Sequence, residues 1–142
     1  MFAYFDDTAF PLVHITMGTL QTGNQFRDFL ERWESYDDKY EDYTFVFDTT
    51  GVGYIPVKYA YEMTHFIKQL KVKKKAGNVF LERSIIIANT WYVRGLLRLI
   101  FSIQKPVAPV YMIHDKTNVD VLLENLILNP LFFKSDVVYF SP

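Results

Sequence analysis

The segment Tyr43-Thr-Phe-Val-Phe-Asp-Thr-Thr-Gly-Val-Gly-Tyr-Ile55 decides the fold that the sequence predicts. Residues 45–47 are apolar on both sides of the chain, which is typical of a strand covered on both faces. Asp48 follows at the carboxyl end, and two glycines at positions 51 and 53 permit backbone angles that other residues resist. Pro56 then suits the first turn of a helix. The segment therefore predicts a buried strand, a turn and the start of a helix.

The rest of the chain repeats this alternation of strand and helix. Residues 2–5 and 11–18 are β-prone and flank Asp-Asp-Thr, which predicts an amino-terminal hairpin. Further buried strands are predicted at residues 84–88 and 110–114. Apolar positions three and four apart predict four helices. The residues expected to start them are Asn24, Pro56, Asn89 or Thr90, and Asn118. The order β-β-α-β-α-β-α-β-α predicts an α/β fold with a mostly parallel sheet of four or five strands.

The length and composition fit a single domain over residues 1–142. Half of the residues are apolar and 18% are aromatic, which suffices for a packed core. We expect that core at about residues 10–128. The apolar tail, residues 129–142, either packs back, which is favoured, or docks on a partner, and it makes a homodimer possible. No cysteine, signal peptide or membrane-spanning run is present in the sequence, so we expect a cytoplasmic protein without disulfides.

Charge is divided unevenly along the chain, although the net charge is only −1. Residues 1–50 hold 10 acidic and 3 basic side chains, whereas residues 51–105 hold 2 acidic and 10 basic ones. This division indicates either ordinary solvated faces or a dipole that turns the protein toward an anionic partner. A pI of about 6.3 and the lack of an RNA-binding signature argue against nucleic acid. The side chains that would form an anion-binding patch are Lys71, Lys73, Lys74, Lys75, Arg94 and Arg98.

Polar residues follow three of the predicted strands at Asp48, Asn89 and His114. Open α/β folds bind ligands at the carboxyl ends of their strands, so these residues and Trp91 would share one rim. The competing and favoured interpretation is that Asp48 and Asn89 bond loop N–H groups and cap helices. An enzyme using Asp48 and His114 would need both side chains in one pocket. The sequence offers no nucleophile and no histidine pair with metal-ligand spacing, so we predict no catalytic residue, metal or cofactor.

The run from Asp48 to Ile55 resembles the Asp-Leu-Ser-Gly-Val-x-Phe-Ile run of STAS domains, the fold of anti-sigma-factor antagonists and SpoIIAA-like proteins. The resemblance implies a SpoIIAA/STAS-like interaction or regulatory module without enzymatic activity, whose partner protein is unidentified. Regulatory STAS domains carry a phosphorylated serine at the start of the next helix. This chain has residues 56–59, Pro-Val-Lys-Tyr, at that place, so the resemblance implies no phosphorylation switch. The residues implied to contact a partner are Thr49, Thr50, Gly51, Tyr54 and Lys58.

A second stretch, residues 84–93, is similar to the strand-to-helix corner of CRAL-TRIO lipid-binding domains, which often read Ile-x-Asn-Ala-Pro-Trp. Asn89 and Trp91 match, with one residue fewer between them and without the proline. The alternative function implied by this resemblance is binding of a lipid, or of an anionic head group at a membrane surface. The element order supports both resemblances over about residues 10–128.

Overall fold

A mixed six-stranded sheet runs through the computed structural model, which describes residues 2–128 and 137–142. The strands are β1 (Ala3–Asp6), β2 (Leu12–Met17), β3 (Tyr43–Asp48), β4 (Leu81–Ile87), β5 (Val110–Ile113) and β6 (Val138–Phe140). The helices are α1 (Gly23–Ser35), α2 (Val57–Lys75), α3 (Trp91–Ile103) and α4 (Val119–Leu128), with short 3-10 helices at Tyr36–Lys39 and Lys116–Asn118. These elements form one α/β domain.

The strands lie across the sheet in chain order. Strands β2 to β5 pair in parallel, whereas the outer pairs β1–β2 and β5–β6 are antiparallel. The amino-terminal hairpin is confirmed. The prediction of a mostly parallel sheet of four or five strands is correct only for the four inner strands, because both outer strands of the six run in the opposite direction.

Three helices pack on one face of the sheet and one packs on the other. Since β2 to β5 advance in one direction, right-handed crossovers put α1, α2 and α3 on the same face. Phe45 and Phe47 point into that layer, where Trp33 of α1 lies with its ring centroid 5.3 Å from that of Phe45. Val46 points to the opposite face, in the core formed with α4. The double-sided burial predicted for β3 is therefore confirmed.

The structure corrects the expected start of α1. Its cap is Thr22 and not Asn24: the Thr22 hydroxyl accepts the backbone N–H of Gln25, and the Gln25 side chain accepts the backbone N–H of Thr22. This reciprocal pair satisfies two N–H groups of the first turn, whereas the Asn24 side chain accepts a bond from Arg27.

The other helix starts differ less from the predicted positions. Pro56 precedes α2 as its cap residue without a side-chain bond, and Thr90 caps α3 by accepting the N–H of Val93. Before α4, Asp115 caps the short 3-10 helix by accepting the N–H of Thr117. Bonds from Thr117 hold the pKa of Asp115 below its usual value. The Asn118 side chain lies outside the described residues.

The end of the chain packs back on the domain. Strand β6 pairs with β5, the Phe140 ring lies 4.7 Å from that of Phe101, and the Tyr139 ring lies 5.2 Å from that of Tyr111. Packing back, the favoured prediction, is thus confirmed for residues 138–140. Residues 129–136, including the predicted end of the last helix at Asn129-Pro130, lie outside the described residues.

Candidate functional site

The loop between β3 and α2, residues 49–56, is held by its own polar groups. The Asp48 carboxylate accepts both the backbone N–H of Thr50, at 3.0 Å, and its hydroxyl, at 2.7 Å. The buried Thr49 hydroxyl donates to the carbonyl of Ile87 on β4, at 2.6 Å. These bonds are the local ones that the competing interpretation of Asp48 predicts. They fix the backbone of the loop, whose exposed side chains are Thr50 and the much larger Tyr54.

Tyr92, at the start of α3, ties this loop to the next strand-to-helix corner. Its hydroxyl accepts the N–H of Ile55 at 3.0 Å and donates to the Ile55 carbonyl. Its ring stacks with Tyr54 at 6.1 Å between centroids and meets Trp91 edge-on at 6.1 Å. Tyr54 and Trp91 are therefore joined through the ring of Tyr92, and we call these three residues the aromatic patch.

The aromatic patch is unusually open to solvent. Tyr54 is 73% exposed and Trp91 is 85% exposed, while Tyr92 is half-buried and supports both. Lone apolar side chains are common on protein surfaces, whereas large contiguous apolar patches are typical of interaction sites. Tyrosine and tryptophan are also the residues that contribute most binding energy at protein interfaces.

The other predicted contact residues lie around the patch in different ways. Lys58 is exposed on the first turn of α2, with its ammonium 5.1 Å from the Tyr59 ring centroid. Gly51 approaches β2 closely, since an added Cβ would lie 3.0 Å from the Met17 carbonyl oxygen. Neither Gly51 nor Gly53 has a positive φ, so close approach, and not an unusual backbone angle, explains the glycine at position 51.

The structure does not gather the four predicted rim residues at one point. Asp48 pairs with Ile87, and Ile87 with Ile113, so Asp48 and residue 113 are roughly 10 Å apart across two strand spacings. Asp48 lines a cavity of about 250 Å³ on the α4 face, and His114 does not. Asn89 is exposed beside Thr90, and Trp91 belongs to the aromatic patch. The side chains that join Asp48 in its cavity include His14, Thr16, Lys116 and Asp120.

The six predicted anion-binding residues divide between two places. The Arg94 guanidinium donates to the carbonyl of Ala88 at 3.0 Å, near the start of α3. Burial, and then the charge of Arg98, lowers the pKa of Arg94. The lysines lie at the opposite end of α2, a helix about 28 Å long. The arginines and the lysines therefore form two separate groups. The arginines lie toward the carboxyl ends of the parallel strands and the lysines toward the amino ends.

Within the lysine group, two side chains are already engaged. Lys73 forms an ion pair with Glu34 of α1, and the Lys74 ammonium donates to the Val107 carbonyl at 2.7 Å. Burial lowers the pKa of Lys71, and the charges of Lys105 and Lys74 lower it further. We call Lys71, Lys74 and Lys105 the lysine cluster. The sequence did not assign Lys105 to it, because 34 residues separate it from Lys71.

Comparisons of the chain with protein-family models, curated proteins and solved structures found no match. Among residues 2–128 and 137–142, no three His, Asp or Glu side chains could hold a metal ion together. None of the helices in that part of the chain has the length and apolar character needed to cross a membrane.

Proposed function

We propose that this protein is a non-enzymatic, STAS-like interaction module that binds a partner protein through the aromatic patch. The observation that carries the proposal is that exposed Tyr54, from the loop after β3, and exposed Trp91, at the start of α3, both contact the ring of Tyr92. The β-α order from β2 to α4 agrees with the STAS resemblance of the loop. Pro56 to Tyr59 offer no serine for a phosphorylation switch, so binding would not depend on phosphorylation there.

The hydrogen bonds of the loop also favour binding. A loop that is already ordered loses less conformational entropy when a partner docks. Three hydrogen bonds order this loop before a partner binds. They run from Thr50 to Asp48, from Thr49 to Ile87, and between Tyr92 and Ile55. Tyr54 is therefore presented on a backbone that a partner does not have to arrange.

The proposal is tested by comparing Tyr54→Ala and Trp91→Ala with the control Tyr4→Ala. Tyr4 is 58% exposed but lies on the edge strand β1, two strands from the β3 that leads into the patch loop. Proteins captured from the source cells are quantified for all variants, and the affinity of the retained partner is then measured by calorimetry. We expect the two patch variants to weaken binding about 30-fold, the effect of losing a strong interface residue, and Tyr4→Ala to leave it unchanged. Equal capture by all variants would refute the proposal.

The lysine cluster favours a second candidate, contact with anionic head groups at a membrane surface. None of its three ammonium groups has an ion-pair partner among the described residues. Exposed Val72 and Ile103 lie beside the cluster in sequence. Lysines with neighbouring aliphatic side chains suit a surface of anionic lipid.

Vesicle sedimentation tests this second candidate. We would compare neutral phosphatidylcholine vesicles with vesicles that also contain phosphatidylserine, using Lys71→Glu/Lys105→Glu and the control Lys116→Glu. Lys116 lies before α4, on the opposite face of the sheet. Binding that needs phosphatidylserine and is lost only in the double variant is expected. Binding that ignores lipid charge would exclude a head-group contact.

A further inference from the structure

An apolar cavity of about 130 Å³, partly open to solvent, lies between the sheet and helices α1, α2 and α3. Trp33 of α1, Met63 of α2 and Leu97 of α3 form part of its wall, and the sheet contributes Phe47 and Ile86. Protein interiors are normally packed as densely as organic crystals, so a void of this size is uncommon. The cavity is therefore a candidate site for a small molecule.

The residues that line the cavity favour an apolar molecule as its occupant. The Thr49 hydroxyl, one of the few polar groups on the wall, is already bonded to the Ile87 carbonyl. Water needs two to four polar partners in a buried site, whereas apolar cavities near 150 Å³ stay dry and bind benzene or xenon. The volume of 130 Å³ is close to that of those benzene-binding cavities, so it suits a single ring or a short alkyl group.

The cavity also reaches the loop that carries the aromatic patch. Val52 and Ile55 line the cavity, while Tyr54 between them faces solvent. Tyr92 holds Ile55 by both backbone groups. One side of the loop is therefore a cavity wall and the other side is the proposed binding surface. A molecule in the cavity would supply the dispersion contacts that Val52 and Ile55 lack.

We infer that the cavity is a binding site for a small uncharged apolar molecule, and that occupancy stabilises the loop conformation that presents Tyr54. The first part stands independently of partner binding. The second part rests on the proposed function, because it makes the ligand a regulator of the aromatic patch.

The two tryptophans of the chain allow the cavity and the aromatic patch to be followed separately. Trp33 lines the cavity, and Trp91 is exposed in the aromatic patch. In Trp91→Phe, Trp33 is the sole tryptophan and reports on the cavity. Bromobenzene is the probe, since its heavy atom quenches a tryptophan that it contacts. We expect saturable quenching of Trp33, and a melting temperature that rises with added benzene. The matched control adds Ala60→Leu, which fills space at a buried wall position, and should abolish both effects.

If Ala60→Leu does not fold, Ser84→Val fills a second buried wall position with less added volume. Quenching that never saturates, together with a melting temperature that benzene does not raise, would overturn the binding site. Hydrogen exchange tests the coupling: saturating benzene should slow exchange at residues 50–55 at least threefold. Unchanged exchange despite saturable binding would overturn the coupling. Partner capture by the Tyr54 and Tyr4 variants is measured without benzene, so failure of the proposed function is recognised separately.

Discussion

At the scale of single residues, two glycines of one loop should respond in opposite ways to the same change. A Cβ added at Gly51 meets the Met17 carbonyl oxygen at 3.0 Å, whereas a Cβ added at Gly53 meets nothing within 4 Å. We expect Gly51→Ala to lower the free energy of unfolding by about 1–2 kcal/mol, because β2 must move away. Gly53→Ala should raise it by about 0.5 kcal/mol through a less flexible unfolded chain. Urea denaturation of both variants checks this, and equal effects would contradict it.

Asp37 should give the protein a distinctive dependence on pH. Its carboxylate accepts the Tyr43 hydroxyl at 2.7 Å and the Phe80 N–H at 3.0 Å, and only 9% of the residue is exposed. Burial raises the pKa of Asp37 above 3.8, although these two bonds act against the rise. The folded protein therefore binds the proton more readily than the unfolded chain. The stability gained is complete below pH 3.8 and is lost as pH rises through the raised pKa.

The measurement that isolates this effect is the free energy of unfolding of the wild type minus that of Asp37→Asn, followed with pH. Asparagine keeps an acceptor oxygen but has no proton to gain. The difference should shift in favour of the wild type as pH falls through the raised pKa of Asp37 toward 3.8. The subtraction removes the contribution of other carboxylates. A difference that stays constant, or shifts the other way, would show that burial does not control this carboxyl.

At the scale of secondary-structure elements, the start of α1 gives a direct comparison of two capping residues. Thr22→Ala removes the hydroxyl that accepts the Gln25 N–H and should lower the free energy of unfolding by about 1 kcal/mol. Asn24→Ala removes only an exposed contact with Arg27, and we expect a change within about 0.5 kcal/mol. Thermal melts of the two variants distinguish the caps. A larger loss at Asn24 would mean that the reciprocal Thr22–Gln25 pair does not hold the helix.

The elements themselves could largely be predicted from apolar periodicity, and their details could not. The pattern Thr22-x-x-Gln25 is a recognisable capping signal, so that error was avoidable. Strand β6 has only three residues, within the uniformly apolar run Val137–Phe140, and therefore shows no period. The sequence predicts Tyr54 as a contact residue and Trp91 as a rim residue, but not their common surface, because the bond from Tyr92 to Ile55 spans 37 residues. Such a contact follows from the packing of a loop against the start of a helix, on which local sequence patterns carry no information.

At the scale of the whole molecule, the acidic and basic segments of the sequence lie on different sides of the helical layer. The acidic helix α1 meets α2 through the Glu34–Lys73 pair, and the lysine cluster remains on the side of α3. The aromatic patch and the lysine cluster lie toward opposite ends of α2, in which Val57 and Lys71 are about 21 Å apart along the axis. This distance exceeds the roughly 8 Å over which salt screens charges, so changes at one end should leave the other unaffected.

Strand β6, which pairs with β5, contributes to the stability of the whole sheet. Residues 138–140 cover the edge of β5, and Phe140 packs on Phe101 of α3. Deleting residues 137–142 would expose the edge of β5 to other chains, because its backbone groups lose their partners. We expect a loss of at least about 2 kcal/mol in the free energy of unfolding, and concentration-dependent association. Deleting only the exposed residues 141–142 is the matched control and should change neither. Calorimetry and analytical ultracentrifugation provide the readouts, and a stable monomer without β6 would show that this strand is not required to complete the fold.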